Sequence, residues 1–350
     1  MIGIVVFALL VAAAVMEVLS LGLNARKLRV DYETDLSLAA PGEVITLRYR
    51  IYNLSPLPKL FCSVSFYFGD SAVICEPEEW KARYARRTTA GVSVQRHMAL
   101  LPHTSVSGKV RFSLSERGVH PVGKLYLETG DFLGFRSTVV SKEAEKIVVC
   151  TARLLDEEPE MQTLGGVLGE ISVRRFIHED PTMIVGYRDY TGREPMKKIS
   201  WTATAKAARL MVKENDFTVD TNVAVVVNMQ DPNRARMERC LSLARTACEC
   251  LEERKIPYAL LSNGDLSSME EGLGKGHIFA ILRKIGVSRL GVYESFRSLA
   301  ERCVKERRDN RSYIVITPTP DPESEAVLRL LQQHSDCELC VLYGNGGVSA

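Results

Sequence analysis

Residue types able to do chemistry are plentiful in this 350-residue chain but thinly spread. The histidines, His97, His103, His120, His178, His277 and His334, lie in different segments. None stands in an H-x-x-H or HExxH spacing, so no helix-borne zinc site is spelled out. His178, followed by Glu179 and Asp180, comes nearest to a site, but a solvated polar turn accounts for it better. The cysteines, Cys62, Cys75, Cys150, Cys240, Cys248, Cys250, Cys303, Cys337 and Cys340, are odd in number and scattered over hydrophobic segments, a usage that fits a reducing compartment. Cys248 with Cys250, and Cys337 with Cys340, have the spacing of zinc half-sites but lack the glycine-rich knuckle turns such sites need. Buried, unliganded thiols are the better reading. A Cys–His pair assembled by the fold stays open, because such partners converge only in space. With no nucleophile–base pair in view, the expectation is a protein that is not an enzyme and carries no cofactor.

The segment Tyr187 to Glu214, YRDYTGREPMKKISWTATAKAARLMVKE, concentrates charge, glycine and one of the two tryptophans. It holds neither His nor Cys, and its acidic Asp189 and Glu194 sit among Arg188, Arg193, Lys197 and Lys198. That mixture suits binding. As a functional surface, Arg188, Arg193, Lys197 and Lys198, with Glu194 among them, form a basic patch for an acidic partner or lipid headgroups. As structure, Arg188 and Trp201 staple the segment onto the following domain, the indole buried and its N–H satisfied. The structural reading is preferred for Trp201 and Ile199; the basic residues stay open. Nucleic acid is not an expected partner, since the net charge is only +2 and the interleaved aromatics of single-strand binders are missing.

The elements that must position these residues follow from length and pattern. A chain this long predicts two globular domains. Ile2 to Leu23 is almost wholly apolar, broken by Glu17, and Arg26, Lys27 and Arg29 follow it; residues 1–24 therefore read as a single-pass transmembrane anchor in a cell membrane, with the bulk of the chain cytoplasmic. Residues 28–148 alternate apolar and polar in short runs, as in an antiparallel immunoglobulin- or fibronectin-like β-sandwich. In it, Gly130 and Asp131 are expected to turn the chain, with Phe132, Leu133 and Phe135 closing the core. Residues 149–186 read as a linker or surface excursion, residues 187–216 as the boundary segment, and residues 217–345 as a doubly wound α/β domain. The continuous apolar run Thr221 to Met229, an amphipathic helix near Asn233 to Arg254 and further alternating strands and helices give that last reading.

Two residue blocks carry a resemblance. Arg117 and Gly118, then Gly130, Asp131, Phe132, Leu133, Gly134 and Phe135, form one; Arg188, Tyr190, Ile199, Trp201, Ala205 and Lys206 form the other. Together they resemble the bacterial domain-of-unknown-function 58 family. The resemblance implies N-terminal membrane helices, a β-sandwich, a signature segment built on Tyr190, Gly192, Ile199 and Trp201, and a von Willebrand factor A-like domain. It also implies a membrane-tethered adaptor that partners a MoxR-type AAA+ ATPase. The chain departs from the family in showing one apolar N-terminal segment where two are usual, and Gly192, Arg193 and Glu194 where a Gly-Asp pair is common. It departs again at the metal site. A-like domains that hold magnesium place D-x-S-x-S after the first strand, because a hard cation needs converging carboxylate and hydroxyl oxygens. Here Asn228, Gln230 and Pro232 occupy those positions, leaving Asp231 and Asp321 as weak candidates. The alternative function is a metal-dependent ligand-binding A domain with an atypical site.

Overall fold

The computed structural model describes residues 2–23, 27–89, 91–130, 136–143, 145–155, 162, 164–166, 168–169, 184–192, 194–215, 222–266, 269–306, 311–334, 339–345 and 348–349. The chain divides into two compact units, Met1–Arg153 and Leu154–Ala350.

The first unit begins with helix α1 (Ile2–Leu23). No helix among the described residues is long and apolar enough to cross a membrane, which corrects the expected single-pass anchor and the cell-membrane location built on it. Glu17 interrupts the apolar run. The uncharged run ends at Met16, and Ile2 to Met16 at helical rise reaches roughly 22 Å, short of the ~30 Å hydrocarbon core.

Strands follow in order: β1 (Leu28–Thr34), β2 (Leu38–Ala39), β3 (Ile45–Asn53), β4 (Lys59–Phe68), β5 (Ala72–Ile74), then helix α2 (Glu78–Tyr84), β6 (Ala85–Thr88), β7 (Gly91–Leu100), β8 (Ser105–Leu114), β9 (Gly118–Val122), β10 (Lys124–Gly130), β11 (Ser137–Lys142) and β12 (Lys146–Cys150). They make a β1-β3-β8-β5 sheet, a β11-β10-β4-β7-β6 sheet and a small β2-β12-β9 sheet. Period-two patterning decides what is buried. Ile45, Leu47, Tyr49 and Ile51 of β3 face inward, and so do Cys62, Val64, Phe66 and Phe68 of β4. Tyr49 meets Phe66 with ring centroids 4.8 Å apart, and Phe68 meets Phe112 at the same distance. Each such pair adds about 0.5–1.5 kcal/mol beyond area burial. The β-sandwich expected from alternation is thus present. It runs past residue 148, because β12 pairs with β9 and β2 as far as Cys150. Gly130 is the last residue of β10, and the expected corner Asp131 to Phe135 lies outside the described residues, as do His178, Glu179 and Asp180.

In the second unit a hairpin, β13 (Ile184–Asp189) and β14 (Met211–Asn215), encloses a 3-10 turn (Met196–Lys198) and helix α3 (Trp201–Ala207). Then come β15 (Asn222–Val227), α4 (Arg234–Glu253), β16 (Tyr258–Ser262), β17 (Met269–Gly272), α5 (Lys275–Val287), α6 (Phe296–Lys305), β18 (Arg311–Thr317), α7 (Pro322–His334), β19 (Leu339–Tyr343) and β20 (Val348–Ser349). The sheet order is β17-β16-β15-β18-β19-β20, parallel at its centre and closed at each edge by a short antiparallel strand. Every residue of β15 and β18 is buried, as strands covered on both faces must be. Ala224, Val226 and Val315 pack against Phe296, Leu299, Val327 and Leu331 of α6 and α7. α4 packs against β15 and β18, and α5 against α4. Of the described thiols, Cys62, Cys150, Cys240, Cys248, Cys303 and Cys340 are buried and Cys75 and Cys250 partly so; burial pushes the Cys248 pKa up and lifts Cys340 to about 11. Cys337 lies outside the described residues.

Candidate functional site

The boundary segment folds as a closed loop on an antiparallel hairpin. Arg188 and Asp189 of β13 stand opposite Val212 and Met211 of β14, the Tyr190 N–H donates to the Leu210 carbonyl (2.9 Å), and Ile199 bridges to Val212. Gly192 sits at φ +85°, a left-handed turn position that a side chain would strain. Glu194 is the lock. Its carboxylate accepts from the Arg188 guanidinium, the Thr191 N–H (3.1 Å) and the Thr191 hydroxyl (2.9 Å), and its side chain is only 11% exposed. The Arg188 guanidinium, against some burial, holds Glu194 down to about 2. Because that lies below its ordinary 4.5, the lock contributes stability above pH ~4.5 and loses it as pH falls toward 2. The Thr191 amide resonance is therefore expected to titrate in that acid window and to stay flat in Glu194→Gln; a flat wild-type profile would refute the lock.

Two expectations change here. Ile199 is buried as a structural residue, but Trp201 is 63% exposed at the start of α3, so its indole does not staple the segment to a core. The helix starts there because the Ser200 hydroxyl accepts from the Ala203 N–H, leaving residue 201 outside the buried side of the turn. Likewise Arg188, expected in a basic patch, is paired with Glu194, its side chain 45% exposed. Lys197 is exposed, Lys198 half-buried, and Arg193 lies outside the described residues. Met196, Tyr187 and Leu210 are exposed too, beside Arg209, which pairs with Asp189 at 3.0 Å.

The second cluster stands at the carboxyl ends of β15, β16 and β18. That is where a doubly wound sheet opens a crevice for ligands, at the reversal of strand order between β15 and β18. Asn228, 3% exposed, donates through Nδ2 to Thr317 Oγ1 (3.1 Å). Its Oδ1 accepts from the Gln230 N–H (3.0 Å) and from Asn263 Nδ2 (3.2 Å). Asn263 in turn accepts the Met229 N–H (2.8 Å) and donates to Gln230 Oε1, which also takes the Phe296 N–H (2.9 Å). Thr317 Oγ1 pairs with Ser324 Oγ at 3.1 Å. Neutral amides and hydroxyls fill one another's valences across three strands.

The carboxylates nearby are occupied. Asp231 takes a forked Arg236 guanidinium (2.8 and 3.0 Å) and the Asn233 N–H (2.6 Å), with its side chain 4% exposed. Burial opposes its ionisation, yet Arg236 and Asn233 outweigh that and keep its pKa low. Asp321 accepts the Ser324 N–H (2.6 Å) as a helix cap on α7. Pro232 is exposed and offers no oxygen side chain. Among the described residues no group of three or more His, Cys, Asp or Glu is placed to hold a metal. Sequence reading found Asn228 and Gln230 but missed Asn263, Thr317 and Ser324. The usable signal was position: Thr317 and Asn263 each end or directly follow an apolar strand run.

What this fold and cluster define is a β-sandwich unit joined in one chain to an α/β unit with a neutral amide and hydroxyl network at the carboxyl ends of its central strands. No protein-family model matches the chain, and no curated protein does. Among solved structures, the CARDB domain of a Pyrococcus furiosus protein matches over 35% of this chain and 91% of its own, at 11% identity and TM-score 0.23. A type II cohesin domain of the Acetivibrio cellulolyticus cellulosome matches over 35% and 95%, at 10% identity and TM-score 0.24. An uncharacterized Nocardia farcinica protein with an immunoglobulin-like fold matches over 32% and 81%, at 18% identity and TM-score 0.22.

Proposed function

We propose that this chain is a non-enzymatic interaction or adaptor protein of the domain-of-unknown-function 58 type, whose signature hairpin docks a MoxR-type AAA+ ATPase. The observation that carries the reading is the exposure of large apolar side chains in that segment: Tyr187, Met196, Trp201 and Leu210 stand in water, and Lys197 and Arg209 of the same segment are exposed too. Large apolar side chains gain by leaving water, and aromatic residues, Met and Arg are enriched at the centres of protein interfaces. The ATPase itself comes from the resemblance alone. The same resemblance makes the second unit von Willebrand factor A-like, which its strand order 3-2-1-4-5-6, with the third strand short and antiparallel, supports.

The test is a crosslinked pull-down with the full chain. Wild type is expected to recover an AAA+ ATPase that Trp201→Ala and Lys197→Glu each lose, while Trp201→Ala changes stability by less than about 0.5 kcal/mol because the indole touches no core. Undiminished recovery by both variants would remove this surface from the proposal, and absence of any AAA+ ATPase from the wild-type eluate would remove the partner.

A further inference from the structure

A depression of about 750 Å³ lies on the outer face of the β11-β10-β4-β7-β6 sheet of the first unit. Strand register builds its floor. Glu128 of β10 stands opposite Val139 on one side and Ser63 of β4 on the other, and Ser63 stands opposite His97 of β7. A serine, a histidine and a carboxylate thus share one row. Their order is wrong for nucleophilic catalysis: the hydroxyl sits between the other two, and Ser63 donates to Glu128 Oε2 at 3.5 Å, so the imidazole cannot be oriented by the acid while it activates the serine. The row can bind but not relay.

One turn of the pleat away, Phe61 lies open to water, 54% exposed, beside Leu60. Gly130 makes room for it, since a Cβ there would come 2.9 Å from the Phe61 Cβ. Arg136 completes the rim. Glu128 and Arg136 carry opposite charges, so neither an anion nor a cation is favoured overall. The polar floor disfavours a purely apolar ligand, and the depression is on a sheet face, where a peptide cannot add as an edge strand. What remains is a neutral, hydroxyl-rich molecule with one C–H face to lay on a ring.

We propose that this face is a saccharide-binding site: Phe61 is the stacking platform, and Glu128, His97 and Arg136 hydrogen-bond the sugar hydroxyls, with Ser63 beneath them holding Glu128. The volume falls in the range of small-ligand sites and accommodates a short oligosaccharide. Titration of the full chain with cellotriose, maltotriose and chitotriose, read by saturation-transfer NMR and calorimetry, tests it. At least one trisaccharide is expected to bind saturably, with Phe61→Ala and Glu128→Gln each weakening it about tenfold or more and circular dichroism unchanged. Tyr293→Ala, in the other unit, leaves binding as it was. No saturable binding by any of the three, or binding that survives both substitutions, overturns the site. Neither result bears on the hairpin, whose pull-down is a separate measurement.

Discussion

Asn228→Ala is expected to destabilise the α/β unit by about 3–5 kcal/mol, read as a lower midpoint in urea unfolding. The side chain removed is buried and holds three partners, the Gln230 N–H, Asn263 Nδ2 and Thr317 Oγ1. Alanine satisfies none of them, and each polar group left dry costs about 1–3 kcal/mol, less than additively because Thr317 keeps Ser324. A loss below about 1 kcal/mol would mean water replaces the amide without penalty and the network is not a structural lock. Asn228→Asp asks a sharper question. A carboxylate restores the first residue of the metal-binding pattern, so a site that lacks only that ligand should gain thermal stability on adding magnesium. No magnesium-dependent gain is expected here, because Asp231 is already closed by Arg236 and Pro232 has no hydroxyl to offer. An upward shift of several degrees would instead favour the metal-dependent A domain.

Gly91→Ala is expected to cost the sandwich unit about 3 kcal/mol or more. Gly91 opens β7 at φ +123°, and a Cβ built on it would lie 2.0 Å from the Phe68 carbonyl oxygen and 2.8 Å from the Gly69 carbonyl carbon. Both obstacles are backbone, so no rotamer change relieves them. Phe68 is a core ring packed at a tilt against Phe112, and pushing its carbonyl away moves that ring as well. Thermal unfolding followed through near-ultraviolet dichroism measures the change; a shift under about 2 °C would show that the β6–β7 turn yields without disturbing the core.

The fold was legible in the sequence where burial writes a period, and silent where it does not. β15 and β18 read as buried parallel strands because both faces are covered, and β3 read from its alternation. β17, with the sequence MEEG, β6, with ARRT, and the β13–β14 hairpin left no such trace: they are edge or exposed strands held by backbone bonds that any side chain permits. The apolar run at Ile2 to Leu23 misled in the opposite sense, since composition pointed to a span that no described helix is long and apolar enough to make. At the site, Asn228 was found because its position in a pattern is local. Its partners Asn263 and Thr317 lie 35 and 89 residues away, and a hydrogen bond over that separation has no sequence signature. Trp201 shows the same limit: whether an indole at the first turn of a helix faces core or water depends on what packs there.

The cluster at the carboxyl edge holds its shape with amides and hydroxyls alone. A cation-built edge would loosen under chelation, and a carboxylate-built one would respond to acid. The network of Asn228, Gln230, Asn263, Thr317 and Ser324 holds no titratable side chain. Its shape therefore depends on the protonation of none of its own members, even with the Asp231–Arg236 pair beside it.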